Sequence, residues 1–405
     1  MPTKHNPFTP DKLAPPKLFA GRKQEIADID DCLRETKDGN PHHFLIEGEA
    51  GIGKSSLLAR QAGVAMGEVG TQDGERLDFV VVSLALHDQD SYVSLIRKIA
   101  GELKKQLSRR QAMKTLVLQT LQFLSRFEVQ GLRYNHEISK DDESQLLEHL
   151  QSDFVSVLSG KRNDFDGIAL LFDEADKPPP EARLGLVCKL LTEEMSRKRC
   201  DYLCLGLAGL PGILEQLKAG HAAVPRLFER LELKPLLHDE CIGVIRKGLA
   251  EVYEEHGLEV AITEDAAAEI ARLSEGYPYF LQVFAHAAYR EDTDRLIDGD
   301  DVSRSLSRKN GPYQKLGAKF FEHVYLADNA PDYRGVLFAM ADHPRSWMER
   351  GAIIAASRLK ESTVDNALRA FKERGTILQH EKRRGLYRLP TQAFAVWIKG
   401  KWTNG

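Results

Sequence analysis

Apolar residues follow two different rhythms along this chain. Between residues 43 and 233, short apolar runs alternate with stretches of helical spacing. The runs are His43–Glu47, Phe79–Leu86, Ile168–Asp173, Tyr202–Leu207 and, with more alternation, Phe228–Leu233. Near-continuous apolar runs are what strands need when helices cover both faces of a parallel sheet, so this part predicts βαβ units. Residues 22–37 carry Ile26, Ile29 and Leu33 at helical spacing, and a further helix is expected from Lys54. The stretch 88–165 reads as mostly helical, with a polar break near Arg133–Asp142. Past Pro235 the strands are expected to stop. Helical spacing covers Glu240–His256, Glu264–Ser274, Tyr279–Tyr289 and Asp300–Ser307, and Pro312 is expected to open a linker. Beyond it, Tyr333–Ala341, Glu349–Ser357 and Ser362–Arg374 read as three helices. Thr376–His380 and Gly385–Leu389 then form a hairpin, the pattern of a winged helix. The first 20 residues hold five prolines and should be extended.

Composition adds bounds. The 405 residues are 42% hydrophobic and 29% charged, ordinary for a globular protein of two or three domains. No apolar run reaches membrane-spanning length, and the N-terminal segment lacks an apolar core of signal-peptide length, so neither a membrane span nor export is expected. Five scattered cysteines (Cys32, Cys188, Cys200, Cys204 and Cys241) fit no zinc spacing and predict a reducing, cytoplasmic setting. The net charge is −4, yet residues 311–405 carry +7, which leaves −11 on the rest. That asymmetry marks the C-terminal segment as a separate unit suited to an anionic partner.

The strongest chemical signal is Gly48-Glu49-Ala50-Gly51-Ile52-Gly53-Lys54-Ser55-Ser56, which satisfies G-x-x-x-x-G-K-S/T at every fixed position. Glycines let the backbone curl so that successive N–H groups face phosphate oxygens. The helix that follows adds its positive end. In this pattern Lys54 reaches the β- and γ-phosphates of ATP, and the Ser55 hydroxyl ligates Mg²⁺. The motif stands between an expected strand and an expected helix, the context that separates it from a chance glycine turn.

A second signal lies some 120 residues on. Ile168–Phe172 is an apolar run that ends in Asp173 and Glu174, which puts two carboxylates at the edge of an α/β sheet where ligands bind. Asp173 is the expected magnesium carboxylate and Glu174 the residue that polarises the attacking water. Asp176 is either a further ligand or a cap for the next segment.

With these parts in place the chain resembles the AAA+ ATPases, in particular the group near the origin-recognition and STAND-type NTPases. Phe19-Ala20-Gly21-Arg22 with Glu25 looks like the segment that packs near the adenine. Ala208–Gly212 looks like the G-L-P turn after the fourth strand, Pro225–Phe228 like the "R-x-F" position, and Gly276–Gln282, with Tyr277 and Pro278, like the "G-x-P" segment of a helical lid. The resemblance implies an αβα P-loop core with strand order 5-1-4-3-2. It divides the chain into a core (1–236), a lid (237–310) and a winged helix (311–405). It also implies a homo-oligomer in which Arg226 is the arginine finger supplied to a neighbouring subunit. Arg230 lies close by, and Arg226 is equally read as a surface arginine paired with Glu229 or Glu232. Ala208 and Gly209 stand where a polar sensor is usual, and residues 276–282 lack the lid arginine. Both departures point to a slow switch rather than a fast motor.

In the C-terminal unit, Arg369, Lys372 and Arg374 on the third helix and Lys382, Arg383 and Arg384 in the wing are suitable phosphate partners. Three functions remain open on this reading. One is a nucleotide-controlled switch of assembly and of DNA or partner contact. Another is a DNA-remodelling or loading ATPase. The third is a signalling or defence regulator whose winged domain binds protein.

Overall fold

The computed structural model describes residues 5–16, 19–110, 140–160, 165–327, 331–344 and 346–403. Most of the polar break expected near 133–142 lies outside them. The chain forms two compact units. One comprises Leu13–Lys234, the other Met1–Lys12 with Pro235–Gly405.

The first unit is a five-stranded parallel sheet of order β2-β3-β4-β1-β5, built from β1 (His43–Glu47), β2 (Phe79–Ala85), β3 (Gly167–Asp173), β4 (Leu203–Gly209) and β5 (Phe228–Glu232). This is the expected order, read from the opposite edge. All residues of β1 and β4 are buried, which explains their continuous apolar runs. Helices α1 (Lys23–Lys37) and α2 (Lys54–Ala65) lie against the sheet, as does α3 (Tyr92–Arg109). A core cluster joins the sheet to α3, α4 (Lys140–Gly160), α5 (Leu184–Arg197) and α6 (Ile213–Gly220). Register aligns Glu47 with both Gly209 and Glu232, and Ala85 with Asp173. The carboxyl ends of the strands therefore finish along one edge, where the phosphate-loop and acidic motifs stand.

All five cysteines are buried and none forms a disulfide. Burial pushes the thiols of Cys188 and Cys204 up to about 12, so they stay protonated and pack as small apolar groups.

The second unit begins with α7 (His238–His256), α8 (Glu264–Ser274), α9 (Pro278–Glu291) and α10 (Gly299–Ser307). Strands do not stop at Pro235: β6 (Ala261–Ile262) and β7 (Leu296–Ile297) pair in parallel, too briefly to leave a periodic signal. Nor does Pro312 open a linker. A helical run, α11, covers Pro312–Leu316, a π-helical Gly317–Phe321 and Glu322–Leu326. Proline at the first helical position starts a helix rather than breaking it. Leu316, Phe321 and Tyr325 are buried, and Phe321 and Tyr325 pack on Trp397. Gly317 lies so close to the Trp397 indole that any Cβ would collide with it. The remaining elements are α12 (Pro331–Ala341), β8 (Met348–Glu349), α13 (Arg350–Ser357), α14 (Glu361–Glu373), β9 (Leu378–Gln379), β10 (Leu386–Arg388) and α15 (Gln392–Thr403). The three short strands form a sheet of order β8-β10-β9. Residues of 237–310 and of 311–405 share one hydrophobic core.

Residues 5–12 belong to this second unit as a strap. Phe8 is 1% exposed and meets Tyr289 edge-on at 6.3 Å. The Thr9 amide donates to Gln282 Oε1 at 3.1 Å, and Asp11 pairs with Lys315 at 2.8 Å. Among the described residues, no helix is long and apolar enough to cross a membrane.

Candidate nucleotide site

The loop between β1 and α2 is shaped by its glycines. Gly51 (φ +79°) and Gly53 (φ +99°) adopt left-handed backbone that side chains resist. Gly53 is the N-cap residue of α2, so Lys54, Ser55 and Ser56 form that helix's first turn. Ile52 is buried at 1% and anchors the loop from below, while Glu49 and Ala50 are exposed. The Gly48 amide donates to Gly209 O at 3.3 Å, which fixes the loop to the end of β4.

Lys54 folds back onto its own loop. Its Nζ donates to Gly48 O at 2.8 Å and Glu49 O at 2.9 Å. Burial holds its pKa below the usual lysine range, while Asp176, Asp173, Glu49 and Glu174 act in the opposite sense. A half-buried ammonium satisfied by loop carbonyls and facing several carboxylates is poised to take up an anion in place of those carbonyls.

Asp173 closes β3, and its Oδ1 accepts from the Glu174 amide at 2.9 Å. Glu174 takes a left-handed φ of +53°, unusual for a residue with a side chain, and its carboxylate pairs with Lys177 at 2.8 Å. Asp176 Oδ1 accepts from the Leu210 amide at 2.9 Å, so this carboxylate ties the loop after β3 to the turn after β4. This contact reaches a segment 34 residues away and is not a cap on the one that follows Asp176.

Arg22 is 5% exposed. Its Nη2 donates to Ile52 O at 3.1 Å and its Nη1 to Glu25 at 3.3 Å. It thus braces the phosphate loop itself. Gly21 (φ +76°) and Arg22 (φ +61°) make the turn into α1, and Phe19 just before them is partly buried. Tyr277 and Pro278 belong to the other unit, where Pro278 starts α9 and Tyr277 stacks on Phe280 at 5.1 Å.

Arg226 lies on a short 3₁₀ turn, Val224–Leu227, and is exposed. Among the described residues it forms no ion pair with Glu229, Glu232 or any other acid. Arg230 is engaged: its Nε donates to Glu47 Oε2 at 2.7 Å. Glu47 itself is 3% exposed, and its other oxygen accepts from the Gly212 amide at 2.6 Å. Sequence reading missed this buried carboxylate, which links β1, β5 and the start of α6 directly below the phosphate loop. Its signal was a strand of apolar residues ending in one acid.

In the second unit Arg369 and Lys372 lie exposed on α14, with Arg374 at its C-terminal end. Lys382, Arg383 and Arg384 are exposed in the turn between β9 and β10. Helix α14 also carries carboxylates that the sequence reading left uncounted. Arg350 of α13 pairs with Asp365 at 2.6 Å and with Glu361.

The residues of the first unit fit a nucleoside triphosphate with Mg²⁺. A loop of left-handed glycines opens onto a helix N-terminus, a half-buried lysine is held by carbonyls that an anion can replace, and Ser55 and Asp173 stand on the same sheet edge. Residues 18–205 match the family model described as AAA ATPase domain. No curated protein matches the chain by sequence. Among solved structures, the ORC2 protein of Aeropyrum pernix in its ADPNP–ADP complexes is similar over 99% of both chains, with 12% identity and a TM-score of 0.58. The Walker-type ATPase of Pyrococcus abyssi is similar over 94% of this chain and 96% of its own, with 16% identity and a TM-score of 0.50. Motif, sheet order and family match converge: residues 18–205 form a P-loop α/β domain similar to AAA ATPase domains, on a fold similar to that of the Aeropyrum pernix ORC2 protein.

Proposed function

We propose that the protein binds ATP with Mg²⁺, hydrolyses it slowly, and uses its nucleotide state to control assembly and contact with DNA or a protein partner. The observation that carries this reading is Lys54, half-buried and held by the Gly48 and Glu49 carbonyls beside the Asp173–Glu174 strand end. The complexes named for the Aeropyrum pernix protein, ADPNP and ADP, support the choice of an adenine nucleotide.

On nucleotide binding Lys54 exchanges the loop carbonyls for β- and γ-phosphate oxygens. The backbone from Gly48 to Gly53 curls around the phosphates, and the first turn of α2 faces them. Ser55 and Asp173 hold Mg²⁺, which when bound offsets charge on the β- and γ-phosphates. Glu174 orients the attacking water and polarises it. In the present structure its carboxylate is paired with Lys177, so it has to leave that partner to reach a water. This resting pair, with Ala208 and Gly209 in place of a polar sensor, favours slow turnover. Arg226, exposed beyond α6, is the arginine that reaches a neighbouring subunit, whereas Arg230 is held by Glu47.

We divide the chain functionally into a core (1–236, less the strap 5–12 that packs with the second unit), a lid (237–310) and a winged helix (311–405), the last two packed as one unit. The order helix, strand, helix, helix, strand, strand from α12 to β10 supports the winged-helix reading. The exposed tip Lys382–Arg384 is its basic edge.

The test is to size the protein with ADP and with a non-hydrolysable ATP analogue, each with and without duplex DNA, alongside ATP turnover. A larger assembly with the ATP analogue than with ADP supports the switch. One mass in every condition, with turnover accelerated by DNA, would replace it with a DNA-remodelling ATPase. Failure to bind either nucleotide would remove both.

A further inference from the structure

The second unit contains a cavity of about 120 Å³ that no part of the ATPase reading uses. It lies between α9, α10 and the start of α11, with Val283 and Ala287 among its apolar lining residues. Its polar lining holds three cations, Arg290, Arg308 and Lys315, beside the carboxylate of Glu291. Arg290 is exposed and forms no ion pair among the described residues. Arg308 pairs with Glu291 at 2.5 Å, so the cavity's carboxylate is already neutralised. Lys315 is held by Asp11, a carboxylate 63% exposed on the N-terminal strap.

Arginines near helix C-termini are ordinary, because the helix dipole favours them there. That accounts for Arg290 on α9 and for Arg308 after α10 taken singly. It does not account for their meeting Lys315 around one cavity, where Glu291 and Asp11 offset two of the three charges and leave that of Arg290 for a further anion. Two guanidinium forks and an ammonium suit a tetrahedral oxyanion, and the cavity is large enough for one.

We propose that this cavity binds a phosphoryl oxyanion through Arg290, Arg308 and Lys315, in competition with the Asp11 carboxylate of the strap. Binding draws Lys315 away from Asp11 and loosens the hold of residues 5–12 on α11. The same segment is fixed to α9 by His286, whose Nδ1 lies 2.6 Å from Phe8 O, so the cavity wall and the strap share their anchors.

Phenylglyoxal labelling of arginines in the full-length protein, mapped by mass spectrometry, tests this residue by residue and reads the cavity separately from the phosphate loop. The probes are inorganic phosphate and short duplex DNA, each compared with chloride at matched ionic strength. Either probe should slow labelling of Arg290 and Arg308 several-fold, as expected of charge-assisted hydrogen bonds, and whichever succeeds names the source of the phosphoryl group. Asp11→Asn should lower the half-protecting concentration about two-fold, the worth of one exposed ion pair. Protection no greater than with chloride, or none with either probe, overturns the site. Unchanged half-protection in Asp11→Asn overturns the competition.

Discussion

The phosphate-loop edge of the first unit and the basic face of the second both place cations where an anion belongs, but by different means. At the loop, Lys54 is half-buried, hydrogen-bonded to two backbone carbonyls and set by glycine conformations that other residues resist. In the turn between β9 and β10, Lys382, Arg383 and Arg384 are exposed on backbone whose shape does not depend on their identity. A pre-organised cation loses little freedom on binding and gives strength and geometry, whereas an exposed one contributes a screened, sequence-tolerant attraction. The first edge should therefore respond to substitution in turnover and affinity, and the second in salt dependence.

The largest effect should come from Glu174→Gln. If Glu174 polarises water, turnover should fall by about a thousand-fold, within the range of a lost general base, with ATP affinity unchanged. Single-turnover kinetics and calorimetric titration separate the two. Equal hydrolysis by the two proteins would assign the water to another residue and leave Glu174 as the partner of Lys177.

Next in size is Arg226→Ala, expected to slow hydrolysis about a hundred-fold, as for one lost donor to the transition state, while sparing affinity. Lys54→Ala subunits should lose nucleotide binding but still carry Arg226. Mixing the two variants should restore part of the activity if the arginine acts across a subunit boundary. No rescue, together with a monomeric ATP-bound protein, returns Arg226 to an ordinary surface role.

A smaller effect concerns the sheet that carries the loop. His43 opens β1 and is 7% exposed, and its Nδ1 accepts from the Leu205 amide at 3.2 Å. Burial pushes its pKa down to about 4, from 6.5. The unfolded chain therefore binds the proton first as pH falls. Stability from this group is complete above pH 6.5 and is lost between 6.5 and 4, by about 1.4 kcal/mol per pH unit. Urea denaturation across that window should show the slope, and His43→Phe should flatten it.

Much of the first unit was legible because its signals are backbone requirements. Five apolar runs gave the strands, and Gly51 and Gly53 stand where the loop needs left-handed turns. What was not legible were pairings between residues distant in sequence. Glu47 meets Arg230 across 183 positions, and Arg22 reaches Ile52 O across 30. The helical run after Pro312 was misread because proline starts a helix as readily as it ends one, and the burial of Phe321 against Trp397 decides which. In the second unit, adding up charges overstated α14, since Glu361 and Asp365 share its surface with Arg369 and Lys372.

That last difference divides the basic face in two, and the smallest predicted effect tests the division. Around the turn between β9 and β10 the backbone is fixed: His380 N donates to Leu386 O at 3.0 Å, and the Lys382 amide donates to His380 Nδ1 at 3.1 Å. The three cations at its tip can therefore follow one phosphate backbone. Each contact releases condensed counterion with a slope of about −0.9 in log affinity against log salt. Replacing Lys382, Arg383 and Arg384 by alanine should lower the magnitude of that slope by up to about 3 and weaken binding to all duplex sequences alike. Replacing Arg369 and Lys372 should change it less, because Glu361, Asp365 and Glu373 on the same helix lower the positive potential there. Duplex titrations at several salt concentrations give all three slopes. Equal losses from tip and helix would mean that α14 lies in a groove with its carboxylates turned away. No binding by the unaltered protein at low salt would remove DNA as the partner and leave the tip as a docking surface for an acidic protein.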